Sequence, residues 1–315
     1  MVLPVGRSFY TNTRFGRVKG FRYAADNGRA DAPVIVIQGG ISATGQLWRL
    51  DGSGWWQSLY NVFAPAEDVQ VISFDYLGGV GGSDTPTQPL TVTEHTQAYT
   101  DALTQLGVES VEAWVGGSFG GVLGLHAAAQ QHGPVIRRLA VIGAAHKPSI
   151  QSALLRSFQQ LLLQHAESPQ QGVILARALA MLTYRSADEF EQRFANSDDA
   201  LQYVLAQGER LLRRHGNQAN TLFTHLTPAL NDYQVDPKRI SCPVQVIGFA
   251  SDSIAPTALV AELEALLPHC HSYLSIETPY GHDGFIKNVA DYQQPLRHFI
   301  PPLKTSRLEL TENPL

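Results

Sequence analysis

The chain has 315 residues, of which 44% are hydrophobic and 16% charged, and its formal net charge is −5. This composition predicts one large globular α/β domain or a core with a subdomain, and the mild charge argues against nucleic acid or a membrane surface as the main partner. Cys242 and Cys270 lack the spacing of a metal site, and the sequence shows neither a leader-like segment nor a membrane span. We therefore expect a cytoplasmic protein with reduced thiols, no metal and no bound cofactor.

Short apolar runs along the chain predict the strands of a sheet, and helical patterns lie between them. A helix with threonines suited to its N-cap is predicted at 91–107, and a helix of small residues follows residue 118. The predicted strands lie within 32–40, 69–79, 110–118, 136–145, 242–251 and 270–278. Strands that alternate with helices indicate a mostly parallel sheet flanked by helices.

The alternation stops between residues 148 and 235, where every segment has a helical period. We predict a helical cap inserted between late strands, with a core formed by 1–147 and 236–315. Such an insertion starts at the edge of the sheet where parallel sheets bind ligands. A lid over that edge is therefore the favoured role, and a structural or dimerising subdomain is the alternative. Apolar residues that favour a homodimer through this cap are Leu161, Leu162, Leu163, Ile174, Leu175, Leu179 and Leu182.

The glycine cluster "VGGSFGG" at 115–121 follows a predicted strand and precedes the helix of small residues. It lacks the lysine of a phosphate-binding loop, but it fits the pattern G-x-S-x-G around Ser118. In this pattern a tight strand-to-helix turn lifts the serine hydroxyl above the sheet, where the helix N-terminus favours developing negative charge. The stretch therefore predicts a nucleophile elbow and, with it, the α/β-hydrolase fold.

An elbow of this kind requires an acid and then a histidine further along the chain, each after a late strand. Asp252 and His282 meet this requirement, whereas Asp232 and Asp236 precede the strand and are weaker candidates. We expect Ser118 to be the nucleophile, His282 its general base, and Asp252 the group that orients the imidazole.

Two backbone N–H groups are expected to stabilise the oxyanion. One belongs to Phe119, and the other to Gly40 or Ile41 in the loop after the first core strand, although an ordinary turn is the alternative for that loop. Of the remaining histidines, only His146 lies in a loop that opens toward the same edge. The histidines expected to be structural are His126, His269 and His271.

Several stretches together resemble the homoserine O-acyltransferases of the α/β-hydrolase fold, and the resemblance covers most of the chain. The matching stretches are "GWW" at 54–56, "LGGVGGS" at 77–83, "GGSFGG" at 116–121, "ILARALAMLTYRS" at 174–186, "SDSIAP" at 251–256 and "GHDGF" at 281–285. The resemblance implies acyl-CoA as co-substrate, a role in methionine biosynthesis, and a homodimer. It also implies that Arg177 holds the carboxylate of homoserine and that Asp283 holds its ammonium group.

Read without the resemblance, Arg177 would be a surface ion-pair residue and Asp283 a loop cap. The sequence also departs from the family pattern in "IQGGISATG" at 37–45, in "RRHGN" at 213–217, and in a short insertion. These departures leave open acetyl versus succinyl as the acyl group. They also leave serine as an alternative acceptor, and a carboxylesterase with the same triad as an alternative enzyme.

Overall fold

The computed structural model describes residues 6–23, 32–63, 69–130 and 132–301. The ends of the predicted core, 1–5 and 302–315, lie outside the described residues. The strands are β1 Arg7–Thr13, β2 Gly16–Tyr23, β3 Val34–Gln38, β4 Gln70–Phe74, β5 Ser110–Val111, β6 Ala113–Gly117, β7 Val135–Ile136, β8 Leu139–Ile142, β9 Val244–Phe249 and β10 Cys270–Ile276. The helices are α1 Tyr60–Phe63, α2 Val92–Gln105, α3 Phe119–Gln130, α4 Ile150–His165, α5 Pro169–Tyr184, α6 Ala187–Arg193, α7 Ser197–His215, α8 Gln218–Thr221, α9 Thr257–Leu266, α10 Gly284–Lys287 and α11 Val289–Phe299.

Eight strands form one sheet in the order β1-β2-β4-β3-β6-β8-β9-β10, and β5 pairs with β7 in a separate two-stranded ladder. The six strands from β4 to β10 are parallel, as the sequence predicts. The edge hairpin β1–β2 is antiparallel and was not predicted. Its first strand lacks an apolar run because most of its side chains face solvent.

The central parallel strands are covered on both faces, which explains why they are continuous apolar runs rather than alternating ones. Every residue of β4, β6, β8 and β9 is buried. Helices α2, α3 and α9 pack on one face and α1 and α11 on the other. Helix α2 begins as predicted, because Thr91 and Glu94 form a capping box at its N-terminus.

Between β8 and β9 the described chain forms helices and no strand, and most of them lie between the start of α4 and a 3-10 turn that ends at Leu230. Ser149, Ser168 and Asn196 cap the starts of α4, α5 and α7, and α5 packs against both of the other two helices. The C-terminal end of α5 is fastened to the sheet loops, since the Ser253 hydroxyl donates to the carbonyl of Thr183 over 2.9 Å. We call the helical segment Ile150–Leu230 the cap segment.

The exposed apolar surface of the cap segment differs from the one that the sequence suggests. Leu161 and Leu182 are exposed as expected, but the other five predicted residues are half-buried between α4, α5 and α7. The exposed face of α4 is instead formed by Ile150, Leu154, Phe158 and Leu161. No helix in the described part of the chain is long and apolar enough to cross a membrane.

Candidate active site

Ser118 occupies a strained turn between β6 and α3. Its φ is 53°, and it is the one non-glycine residue with positive φ among those described. The turn is possible because the helix approaches the strands very closely: a Cβ at Gly120 would lie 2.0 Å from the carbonyl oxygen of Gln38, and one at Gly116 would lie 2.3 Å from that of Gly120. The glycines of the G-x-S-x-G pattern are therefore required by contact with backbone atoms.

The loops after β9 and β10 bring Asp252 and His282 to this serine. His282 Nε2 lies 2.8 Å from Ser118 Oγ, and its Nδ1 lies 2.7 Å from Asp252 Oδ2. The other carboxylate oxygen of Asp252 accepts hydrogen bonds from the N–H groups of Ile254 and Ala255. The three side chains are thus connected in the order that nucleophilic catalysis by serine requires. Of the weaker acid candidates, Asp236 instead caps the 3-10 turn Pro237–Arg239.

The environment of His282 has opposing effects on its basicity. Burial lowers the pKa of the imidazole, but the charge and hydrogen bond of Asp252 raise it, Asp283 adds to this, and Arg156 acts against it. The net result is a pKa above the ordinary value of histidine. In the hydrogen-bond network Nδ1–H donates to Asp252, which leaves Nε2 free to accept the proton of Ser118.

The two predicted oxyanion groups lie beside the nucleophile. A Cβ at Gly40 would be 3.7 Å from the Cβ of Ser118, and Phe119 follows the serine at the start of α3. The peptide before Gly40 is fixed because the carbonyl of Gly39 accepts hydrogen bonds from the Gly120 N–H and the Tyr76 hydroxyl. Within the described chain, no group accepts a hydrogen bond from the N–H groups of Gly40, Ile41 or Phe119.

The two predicted substrate-binding residues lie on different elements, Arg177 on α5 and Asp283 in the turn that carries His282. The Arg177 guanidinium lies over the Tyr184 ring, 5.4 Å from its centroid, and that ring lies 5.8 Å from the ring of His282. No described carboxylate forms an ion pair with Arg177. Asp283 Oδ2 lies 2.7 Å from Arg185 Nε, a partner that the sequence did not reveal.

The pair between Asp283 and Arg185 is an ion pair rather than an aligned hydrogen bond. The two atoms are close, but the Arg185 Nε–H does not point at a hydrogen-bond acceptor. Arg185 Nη1 donates to Glu189 over 2.6 Å, so this arginine is shared between two carboxylates. Only Oδ2 of Asp283 is held by a described cation, and Oδ1 is not.

The remaining histidines are not connected to the triad. His146 Nε2 lies 3.4 Å from Glu262, which also pairs with Lys147. His126 is buried on α3, and burial lowers its pKa to about 4. The ring of His271 packs against Phe299 at 5.1 Å.

Sequence reasoning missed two side chains near His282. One is Tyr184, whose ring contacts the imidazole, and the other is Arg156, whose charge influences it. A signal for Arg156 exists: buried polar residues recur on α4 at helical spacing, and they are Ser152, Arg156 and Gln159. A surface groove of about 550 Å³ runs past Arg185 and along Ser251 and Ser253 on either side of Asp252.

Comparison with known proteins places this geometry in a family. A model of the alpha/beta hydrolase fold matches residues 32–289. The homoserine O-acetyltransferase of Mycobacterium tuberculosis is 31% identical in an alignment of length 289 that covers 74% of this chain and 73% of that protein. The chain belongs to the homoserine O-acyltransferase family of the α/β-hydrolase fold.

Other members and structures agree with this assignment. The homoserine O-succinyltransferase of Xanthomonas campestris pv. campestris is 28% identical over 282 residues, covering 83% of this chain and 74% of its own. The crystal structure of homoserine O-acetyltransferase from Staphylococcus aureus superposes with a TM-score of 0.79 at 22% identity, over 93% of this chain and 94% of that one, and shows the same fold. The predicted fold and family are therefore confirmed, and this acyltransferase has relatives that are named for two different acyl groups.

Proposed function

We propose that this acyltransferase moves an acyl group from acyl-CoA to the hydroxyl of L-homoserine through an ester on Ser118. The observation that carries the proposal is the hydrogen-bonded sequence Ser118–His282–Asp252, with distances of 2.8 and 2.7 Å, in a chain of this family. Acyl transfer through a serine ester divides the reaction into two half-reactions, which gives ping-pong kinetics.

In the first half-reaction, the Ser118 oxygen attacks the thioester carbon while His282 Nε2 takes the hydroxyl proton. The oxyanion that forms accepts hydrogen bonds from the N–H of Phe119 and from that of Gly40 or Ile41. Collapse of this intermediate breaks the carbon–sulfur bond, and His282 returns the proton to the departing thiolate. Asp252 holds the imidazole in the required tautomer and stabilises its cationic form.

In the second half-reaction, the acceptor hydroxyl gives its proton to His282 and attacks the ester, and Ser118 leaves as the hydroxyl. Arg177 is available for the acceptor carboxylate because no described carboxylate neutralises it. Asp283 has one oxygen beyond its ion pair with Arg185, and this oxygen is available for the acceptor ammonium. Charge-assisted bonds at both ends of an amino acid would orient its hydroxyl toward His282.

The acyl-enzyme can be observed directly. Intact-mass analysis after brief mixing with acetyl-CoA or succinyl-CoA should show an adduct on the native protein that disappears when homoserine is added. Ser118→Ala should show no adduct. Native-like transfer by Ser118→Ala would exclude this mechanism.

Two alternatives use the same triad and differ in the acceptor. An acyltransferase acting on serine would also use Arg177 and Asp283, whereas a carboxylesterase has no need to bind both charges of an amino acid. Mass analysis of the products formed with homoserine, serine or water separates the three. O-acylhomoserine as the main product supports the proposal, and O-acylserine or free acid as the main product replaces it.

A further inference from the structure

Helix α4 has exposed apolar residues on its outer side and buried polar residues on its inward side. The exposed apolar residues include Ile150, Leu154 and Phe158, and the buried polar residues are Ser152, Arg156 and Gln159. Arg156 is 8% exposed, and burial lowers its pKa, although the guanidinium stays far too basic to lose its charge. Placing a cation inside a protein is unfavourable unless an anion or a ligand compensates it.

The contacts of Arg156 do not supply that compensation. Its Nε donates to Asn231 Oδ1 over 2.8 Å, and its Nη2 donates to the Leu230 carbonyl over 2.6 Å and to the Ser152 hydroxyl over 3.2 Å. All three acceptors are neutral, and no described carboxylate pairs with this arginine. The Nη1 edge of the guanidinium has no hydrogen-bond acceptor among the described residues.

The inward side of α4 packs against α5 next to Arg177. The Gln159 amide, about one turn along α4 from Arg156, donates to the carbonyl of Ala176 over 3.4 Å.

The charge of Arg156 also influences titratable groups beside the site. Burial is the largest influence on the pKa of His282, Tyr184 and Tyr233, and in each case the nearby Arg156 guanidinium lowers the pKa. Tyr184 also lies under the Arg177 guanidinium and against the His282 ring. Arg156 and Arg177 thus come from two packed cap helices, neither is neutralised by a described carboxylate, and both lower the pKa of one tyrosine beside the catalytic imidazole.

We propose that Arg156, on the cap helix that packs beside Arg177, binds a carboxylate group of the substrate near His282. The inference rests on the proposed function, because it assigns a chemical group of one of its two substrates to this position. The carboxylate has two possible sources, the acceptor amino acid and a dicarboxylic acyl chain such as succinyl. Both offer the same chemistry to a guanidinium, which binds carboxylates through paired N–H groups.

A purely structural role would use Arg156 only to tie α4 to residues 230 and 231. Those hydrogen bonds need donors but not a positive charge. The two roles are therefore separated by neutralising the charge while keeping the arginine in place. Asn231→Asp does this, because it puts a carboxylate where the amide oxygen now lies 2.8 Å from Nε.

The test compares Arg156→Gln and Asn231→Asp with the native enzyme, with Arg213→Gln as a control. Arg213 is also in the cap segment, but its side chain is 66% exposed. Its loss should therefore change neither of the two kcat/KM ratios that the test measures. The acceptor arm measures kcat/KM for L-homoserine relative to L-homoserinamide, in which a neutral amide replaces the carboxylate. The donor arm measures kcat/KM for succinyl-CoA relative to butyryl-CoA, which has a chain of equal length without the charge.

We expect one of the two ratios to fall by about tenfold or more in both variants, as for the loss of a charge-assisted hydrogen bond. A fall in the acceptor ratio assigns the carboxylate to the amino acid, and a fall in the donor ratio assigns it to the acyl chain. Asn231→Asp should keep its native melting temperature or exceed it, since it adds an ion pair. If neither ratio changes in Asn231→Asp, the charge of Arg156 has no part in binding and the proposal is wrong.

Failure of the proposed function would be recognised separately. If the native enzyme transfers to water and to no amino acid, the same variants are assayed for hydrolysis of p-nitrophenyl hemisuccinate and p-nitrophenyl butyrate. A fall in the hemisuccinate-to-butyrate ratio would keep the carboxylate subsite in an esterase, and an unchanged ratio would overturn it.

Discussion

The two sides of the site differ in how their charges are compensated. On the sheet side, the Asp252 carboxylate accepts hydrogen bonds from His282 and from two backbone N–H groups. Its negative charge is therefore compensated within the protein, without a substrate. On the cap side, Arg156 and Arg177 have no carboxylate partner among the described residues. In the proposed mechanism, the groups for bond making are therefore preorganised, whereas the two arginines receive their counter-charge from the substrate.

The largest effect is expected on the sheet side. Ser118→Ala should lower the rate of CoA release by about 10⁵-fold. Asp252→Asn should lower it by about 10⁴-fold, because an amide favours the imidazole tautomer in which Nε2 cannot accept a proton. Stopped-flow thiol detection measures both rates. An Asp252→Asn enzyme within about tenfold of native would mean that the acid loop does not orient His282.

The next largest effect is expected at the predicted acceptor residues. Removal of Arg177 or Asp283 leaves a substrate charge unpaired, at a cost of about 2–4 kcal/mol, or about 30–1000-fold in kcat/KM for homoserine. Acylation of Ser118 should change much less. Rapid-quench measurement of the two half-reactions checks this, and equal losses in both half-reactions would refute the assignment to the acceptor.

A smaller effect concerns pH. His282 must be neutral to accept a proton, so activity rises as pH passes its pKa, which lies above its ordinary value of 6.5. Asp252 and Asp283 raise this pKa and Arg156 lowers it. Arg156→Gln should therefore move the acid limb of the kcat/KM profile to higher pH, while Arg213→Gln leaves it in place. A shift to lower pH would contradict the proximity of the two charges.

The smallest effect on activity is expected from the outer face of α4, which faces away from these charges. The homodimer remains a prediction. We place its interface on the exposed apolar side chains of α4, which include Leu154 and Phe158. Phe158→Glu should shift the mass in light scattering toward one chain, and Ser157→Glu, which adds the same charge at an exposed polar site, should not. A native mass of one chain at micromolar concentration would remove the basis of this prediction.

The sequence predicted the sheet side more completely than the cap side, for a physical reason. Ser118, Asp252 and His282 each follow a strand of the parallel sheet, and strand order alone brings the ends of parallel strands together. Arg156 was not predicted because the sequence of α4 does not show that the side carrying Ser152, Arg156 and Gln159 packs inward. The pairing of Asp283 with Arg185 depends on how α5 docks on the sheet loops, and no local pattern encodes that contact.

The central claim is that an acyl group on Ser118 goes to an amino acid in preference to water. The most direct measurement is the steady rate of thiol release from acyl-CoA, with and without homoserine, after the first turnover. We predict that homoserine accelerates release by at least about tenfold, because binding by Arg177 and Asp283 holds its hydroxyl in position and the cap segment limits the access of water. Equal rates with and without every amino-acid acceptor tested would contradict transfer and identify the protein as a hydrolase.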